Sequence, residues 1–271
     1  MLPVYVINLD RRPDRWAMIS EQLDRLGVEA TRIPAVDARL LAAQEEWEQV
    51  TNGNRPFWRI DLGAAACVLG HSMAMMAFLG SGAPAALILE DDAELAFDTP
   101  ALLHNMDWWP AGARIVRLEE GGAKHRRPLW GPCGRTPTKR ILRRLERWCP
   151  NAAAYMIDRR GARMALEAFA DPSLPADHIL FNLRLSKTAR RLRPLQIVPA
   201  MARQDDNGLS DLLSWRAKRD AKLQGWSRRY RWRRLAQNTR QIPYKVRVLA
   251  LRAIGKVEKL PVPYCDEPPE G

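Results

Sequence analysis

Apolar and polar positions alternate between two periods along the first two thirds of the chain. Residues Leu2–Asn8 (LPVYVIN) form a run rich in Val, Ile and Tyr with little alternation, which predicts a strand buried on both faces of a sheet. Trp16, Ile19, Leu23 and Leu26 then recur at helical spacing; Pro13 suits the first turn and Gly27 the end. Glu29 to Ile33 predicts a second strand, and a polar helical stretch follows around Ala42 to Val50. Asp61 stands as an N-cap for an apolar helix reaching Leu79, which we read as buried in the core. The run Ala85-Ala86-Leu87-Ile88-Leu89 predicts a central strand that ends abruptly in Glu90-Asp91-Asp92.

Farther on, the pattern predicts a helix near Ala101 to Met106, a strand Arg114 to Leu118, and a Gly-rich, basic, mobile loop from Gly121 to Arg144. A strand Ala152 to Ile157 comes next, then a helix capped by Asp158 and running through Phe169, and a last helix opened by Ala176-Asp177-His178 behind Pro172 and Pro175. Strands alternating with helices predict an α/β fold with a mainly parallel sheet flanked by helices.

Beyond Trp215 the composition changes. Between Arg216 and Lys259 there are fifteen Lys and Arg against two acids, which accounts for the whole net charge of +12. We therefore divide the chain into a catalytic domain, 1–214, and a basic Arg/Trp-rich arm, 215–271. Bases interleaved with Trp215, Trp226, Tyr230 and Trp232 suit an anionic membrane surface, a packed helical arm with a solvated face, or, less readily, nucleic acid. The 46% hydrophobic content supplies a globular core. Four scattered cysteines without a CxxC pair suggest neither a zinc cluster nor a disulfide scaffold. The N-terminal apolar run is too short for a signal peptide or a membrane span, so the expected location is cytoplasmic, with the arm as a peripheral contact to the inner membrane face.

Three places could carry chemistry. Glu90, Asp91 and Asp92 end an apolar strand, where ligands gather in open α/β sheets. So many like charges call for a hard divalent cation, although a solvated acidic turn is the plainer reading. The polar loop Asn8–Arg15 joins the first strand to the first helix. It offers arginines and main-chain N–H groups to a nucleotide, or simply caps the helix. Asp177 and His178 open a helix behind prolines, either as a cap or as groups entering a metal site. His71 reads as a satisfied interior histidine, and Cys67, one turn before it, as no metal site.

Six stretches in order carry a resemblance: Val4–Arg15, Arg32–Asp37, Gly63–His71, Ala86–Asp92, Ala154–Ala162 and Pro175–His178. Together they resemble glycosyltransferase family 25 over roughly residues 1–210. The resemblance implies a GT-A-like domain that uses Mn²⁺ or Mg²⁺ to move a hexose, most commonly galactose, from a UDP-sugar donor to a saccharide or lipid-linked saccharide acceptor in cell-surface glycan synthesis. It places Glu90, Asp91 and Asp92 at the metal and donor. Asn8, Arg11, Arg12 and Arg15 fall at the nucleotide with Asp37 beside them. Because an attacking acceptor hydroxyl must lose a proton, we read Asp177 as the candidate base or, with His178, as a metal ligand. A binding protein of the same fold without turnover is the alternative. The apolar helix departs from the family's pattern, with Gly70 where a serine is usual.

Overall fold

The computed structural model describes residues 1–41, 60, 62–121, 126–170, 174–204 and 242–269. The expected helix around Ala42 to Val50, the cap Asp61 and most of the basic arm lie outside them. Strand β1 (Val4–Asn8) is buried along its whole length, as its unbroken apolar run predicts. Helix α1 (Pro13–Arg25) follows, and Gly27, at φ +65°, reverses the chain into β2 (Ala30–Pro34). A short helix α2 (Ala38–Leu41) precedes the long α3 (Leu62–Gly80), which leads into β3 (Ala85–Glu90).

Strands β1 and β2 pair in parallel, and β3 joins β1 in parallel on the other side. Alternate residues of these strands face opposite layers. Tyr5, Ile7, Ala86 and Ile88 belong to one core with Val68, Met75 and Phe78 of α3; Val4, Val6, Leu87 and Leu89 belong to another with Ile19 and Leu23 of α1. The chain thus passes from β1 to β2 by α1 on one face and then back past β1 to β3 by α3 on the other. That makes the carboxyl end of the β1/β3 pair a topological switch point, the kind of place where open α/β sheets bind ligands. Helix α3 is long and apolar enough to span a membrane, but His71, Ala74, Met75 and Phe78 are buried against the sheet, as expected of a core helix.

The remaining strands are β4 (Ala93–Leu95), β5 (Ile115–Arg117), β6 (Arg127–Arg135), β7 (Ile141–Leu145), β8 (Ala154–Asp158), β9 (Leu195–Val198), β10 (Ala202–Gln204) and β11 (Val257–Leu260). The main sheet runs β11-β6-β7-β9-β5-β8-β3-β1-β2, while β4 and β10 pair separately. This corrects the expected mainly parallel sheet. Among the described residues, β1/β2, β1/β3 and β5/β9 are parallel and the other five pairings of this sheet are antiparallel. A strand buried on both faces shows the same apolar run in either direction, so composition does not reveal its polarity.

The span Gly121 to Arg144 is corrected as well, because β6 and β7 form an antiparallel hairpin within it. Its prolines and glycines are accommodated by two register shifts, between Leu129 and Pro132 and between Pro132 and Gly134. The expected helix near Ala101 is a 3₁₀ turn, Thr99–Leu103. Helix α4 (Arg159–Phe169) is capped as predicted, Asp158 accepting from the Gly161 N–H, and α5 (Ala176–Phe181) and α6 (Lys187–Leu192) follow. Helix α7 (Ile242–Ala253) and β11 lie within the stretch read as a separate arm. There β11 pairs with β6, and Val262 is buried beyond it, so the end of that stretch is built into the main sheet.

Candidate functional site

The carboxyl ends of β1 and β3 lie side by side, with Ile7 opposite Glu90. Asn8, the last residue of β1, is fully buried and ties the neighbouring loops together. Its Nδ2 donates to Asp91 Oδ2 at 2.7 Å and to the Arg12 carbonyl at 3.0 Å, and its Oδ1 accepts from Arg32 Nε at 2.8 Å. Arg15, in the first turn of α1, brings Nη1 to 3.1 Å from Asp91 Oδ1 and 3.6 Å from Asp92 Oδ2. The strand that follows, β4, pairs with β10 so that Gln204 faces Ala93, which lets Gln204 Nε2 donate to Asp92 Oδ1 at 3.3 Å.

Negative charge at this end exceeds what Arg15 offsets. Burial, reinforced by the Glu90 carboxylate, pushes the Asp92 carboxyl up to about 7, and burial also raises Asp91. A half-buried set of oxygen donors that resists its own ionisation suits a hard divalent cation, whose charge would return these acids to their anionic forms. The donor set therefore fits the Mn²⁺ or Mg²⁺ expected from the resemblance.

The flanking arginines divide. Arg11 Nε bonds Asp37 Oδ2 at 2.8 Å. Against the effect of burial, the Arg39 N–H and the Arg11 side chain hold the Asp37 carboxyl below its ordinary value. Arg12 turns outward to Asp14, and its hydrogen bond lowers that carboxyl to about 2. Within the loop, Asn8 and Arg15 face the acids, while Arg12 pairs with Asp14 in the first turn of α1.

Glu90 points the other way, toward α3. Its Oε1 lies 3.2 Å from His71 Nε2 and 3.9 Å from Cys67 Sγ, and His71 Nδ1 meets the Tyr155 hydroxyl at 2.9 Å. His71 is an interior histidine as expected, but its partner is one of the acids. The approach needs α3 close to β1, and Gly70 permits it: a Cβ there would stand 2.9 Å from Ile7 Cγ2. Ile7 thus fills the space that a serine at position 70 would need.

A buried ion pair supports the next layer. Arg117 lies 3.2 Å from Glu119 Oε2, donates to the Pro150 carbonyl at 2.7 Å, and is fully buried. Glu119 accepts from the Ala153 N–H, and burial raises its carboxyl to about 7 despite Arg117. Asp177 Oδ2 accepts from the Asn151 N–H at 3.3 Å, so the segment around 150–153 connects the candidate base to this pair. His178 packs on Trp148, ring centroids 4.7 Å apart, with Nδ1 3.2 Å from Asn182 Nδ2, and burial lowers its pKa. Sequence reasoning passed over Arg32, Tyr155, Gln204, Arg117 and Glu119. All five act through long-range partners; only the charges at the end of β5 gave a local signal.

A family model described as "Glycosyltransferase family 25 (LPS biosynthesis protein)" matches residues 1–180. A Drosophila melanogaster protein named "Glycosyltransferase 25 family member" is 30% identical over 95 residues. That match covers 33% of this chain and 16% of the fly protein, so only a small part of the relative's length is represented here. Among solved structures, a glycosyltransferase involved in the glycosylation of the major capsid of PBCV-1 aligns with a TM-score of 0.46 at 9% identity, covering 82% of this chain and 98% of that one. Mannose-1-phosphate geranyltransferase from Thermus thermophilus aligns with a TM-score of 0.38 at 15% identity, covering 74% of each chain.

Proposed function

The chain belongs to glycosyltransferase family 25, and from that premise we propose that it transfers a hexose, galactose in the first instance, from a UDP-sugar to a saccharide acceptor of a cell-surface glycan such as lipopolysaccharide. The observation that carries this reading is the excess of buried carboxylate at the β1/β3 switch point, where Asp92 is pushed up to about 7 with Arg15 as its cationic neighbour. Asp92 would hold Mn²⁺ or Mg²⁺, joined by Glu90 once its side chain turns from His71, with His178, packed on Trp148, as a further candidate ligand. A bound divalent ion would neutralise charge on the diphosphate as it leaves.

In this reading the chain's own groups orient the donor and handle the proton. Asn8 and Arg15 fix Asp91, and Arg11 and Asp37 line the nucleotide end. The acceptor oxygen forms the new bond to the anomeric carbon while the bond from that carbon to the diphosphate breaks. Asp177 accepts the proton that the acceptor hydroxyl gives up. Replacing Asp177 by Asn should lower UDP release at least about 10²-fold with unchanged Mn²⁺ affinity. Loss of Mn²⁺ affinity would instead make Asp177 a ligand, and an unchanged rate would remove it from the reaction.

The basic arm fits the same reading as a contact to an anionic inner membrane surface through residues 215–259, beside a lipid-linked acceptor in the cytoplasm. The observation favouring a membrane over nucleic acid is on α7 and just beyond it, where Val246, Leu249 and Ile254 are exposed alongside Arg247, Arg252 and Lys256. The protein should co-sediment with anionic vesicles in a salt-sensitive way and much less with neutral ones. Equal partition to both, or to neither, contradicts this.

A further inference from the structure

We propose that Cys67, His71 and Glu90 form a second cation site, of thiolate–imidazole–carboxylate character, that takes Zn²⁺ and is separate in chemistry from the oxygen donors around Asp92. Cys67 and His71 stand one helical turn apart on α3, so their side chains lie on one face. Glu90 reaches them from the end of β3, and the three donor atoms all lie within 4.8 Å of one another. Zinc bonds of about 2.0–2.3 Å at tetrahedral angles set donor atoms about 3.4–3.6 Å apart. The separations of 3.2 Å from His71 Nε2 and 3.9 Å from Cys67 Sγ to Glu90 Oε1 bracket that value, so small side-chain movements close the site.

Three further features agree. Zn²⁺ with a thiolate, a carboxylate and a neutral imidazole sums to zero charge, which suits a place where His71 is buried and Glu90 is mostly covered. Tyr155 supplies the outer partner that a metal-bound histidine needs: its hydroxyl oxygen, 2.9 Å from Nδ1, can accept a hydrogen bond from the Nδ1–H, leaving Nε2 free for the metal. Thiolate ligation selects zinc over Mg²⁺ and Mn²⁺, so the two positions sort their ions by softness. A cysteine and a histidine four apart did not read as a metal site in the sequence because the third donor is 19 residues away, on a strand.

Glu90 also acts on Asp92 through its charge, so the two positions share a residue. That zinc would inhibit transfer by holding Glu90 at α3 rests on the proposed function; the binding of zinc does not. The reduced, metal-free full chain is titrated with Co²⁺ and then Zn²⁺. One equivalent of Co²⁺ should produce a thiolate-to-cobalt charge-transfer band that Zn²⁺ abolishes. The band should be absent in Cys67→Ser and retained in Cys133→Ser, and Zn²⁺ affinity should fall at least about 10-fold in Cys67→Ser. A band that survives Cys67→Ser, or no band in the parent chain, overturns the proposal. Should Cys67→Ser fold poorly, alkylation mapping of the parent chain decides: Zn²⁺ must slow modification of Cys67, and equal rates with and without Zn²⁺ overturn it. Failure of UDP to bind with Mn²⁺ while the cobalt band is present would sink the transfer reading alone; the converse would sink the zinc site alone.

Discussion

Asp92→Ala should lower UDP-sugar turnover by about 10³-fold or more while leaving a folded chain that is more stable than the parent at pH 8. The two effects share one cause. In the metal-free protein the Asp92 carboxyl titrates at about 7, above the ordinary 3.8, because burial and the Glu90 carboxylate oppose its charge. The folded state therefore binds more protons than the unfolded chain between about pH 4 and 7, so stability falls as pH rises through that window. Removing the carboxylate removes this penalty above pH 7 and does little at pH 4. Thermal melts of both proteins at the two pH values, with initial rates of UDP release at saturating Mn²⁺, check it. A variant with near-parental turnover, or one melting lower than the parent at pH 8, would contradict the assignment.

The largest effect on stability is expected at Arg117→Met, about 3–5 kcal/mol. Arg117 is fully buried and Glu119 almost so, and the arginine also donates to Gln196 Oε1 and to the carbonyls of Glu119, Glu120 and Pro150. Truncating it leaves Glu119 buried without its cation. The loss should be greatest above pH 7, where Glu119, already raised to about 7 by burial, must either ionise unpaired or take up a proton. Urea denaturation should show a lower midpoint, and Arg117→Met/Glu119→Gln should recover a large part of the loss. Turnover should fall too, because the segment that Arg117 anchors at Pro150 presents the Asn151 N–H to Asp177. An unshifted midpoint in the single variant would show that the pair is not needed to hold the segment.

The elements nearest the switch point were the most legible. Strand β1, helix α1, strand β3 and the Asp158 cap each declare themselves within about a dozen residues, through an apolar run, a helical repeat or a capping side chain. The β6–β7 hairpin was not legible, because Pro128, Gly131, Pro132 and Gly134 favour a loop and only the bulged pairing beside β11 makes a strand of them. The basic composition of residues 215–259 likewise hid Val257–Leu260, whose strand is stabilised by β6 rather than by its own pattern. At the site, the three acids and Asn8 could be read from their position at strand ends. What each carboxylate touches could not: Arg15, Gln204 and His71 reach them across 76, 112 and 19 residues of chain.

The most direct measurement is equilibrium binding of UDP to the full chain with and without Mn²⁺, in the parent protein and in Asp92→Ala. UDP should raise the melting temperature of the parent only when Mn²⁺ is present, and should leave Asp92→Ala unmoved under either condition. Binding of UDP that is equally strong without metal, or that survives the loss of Asp92, would contradict a cation held at the end of β3.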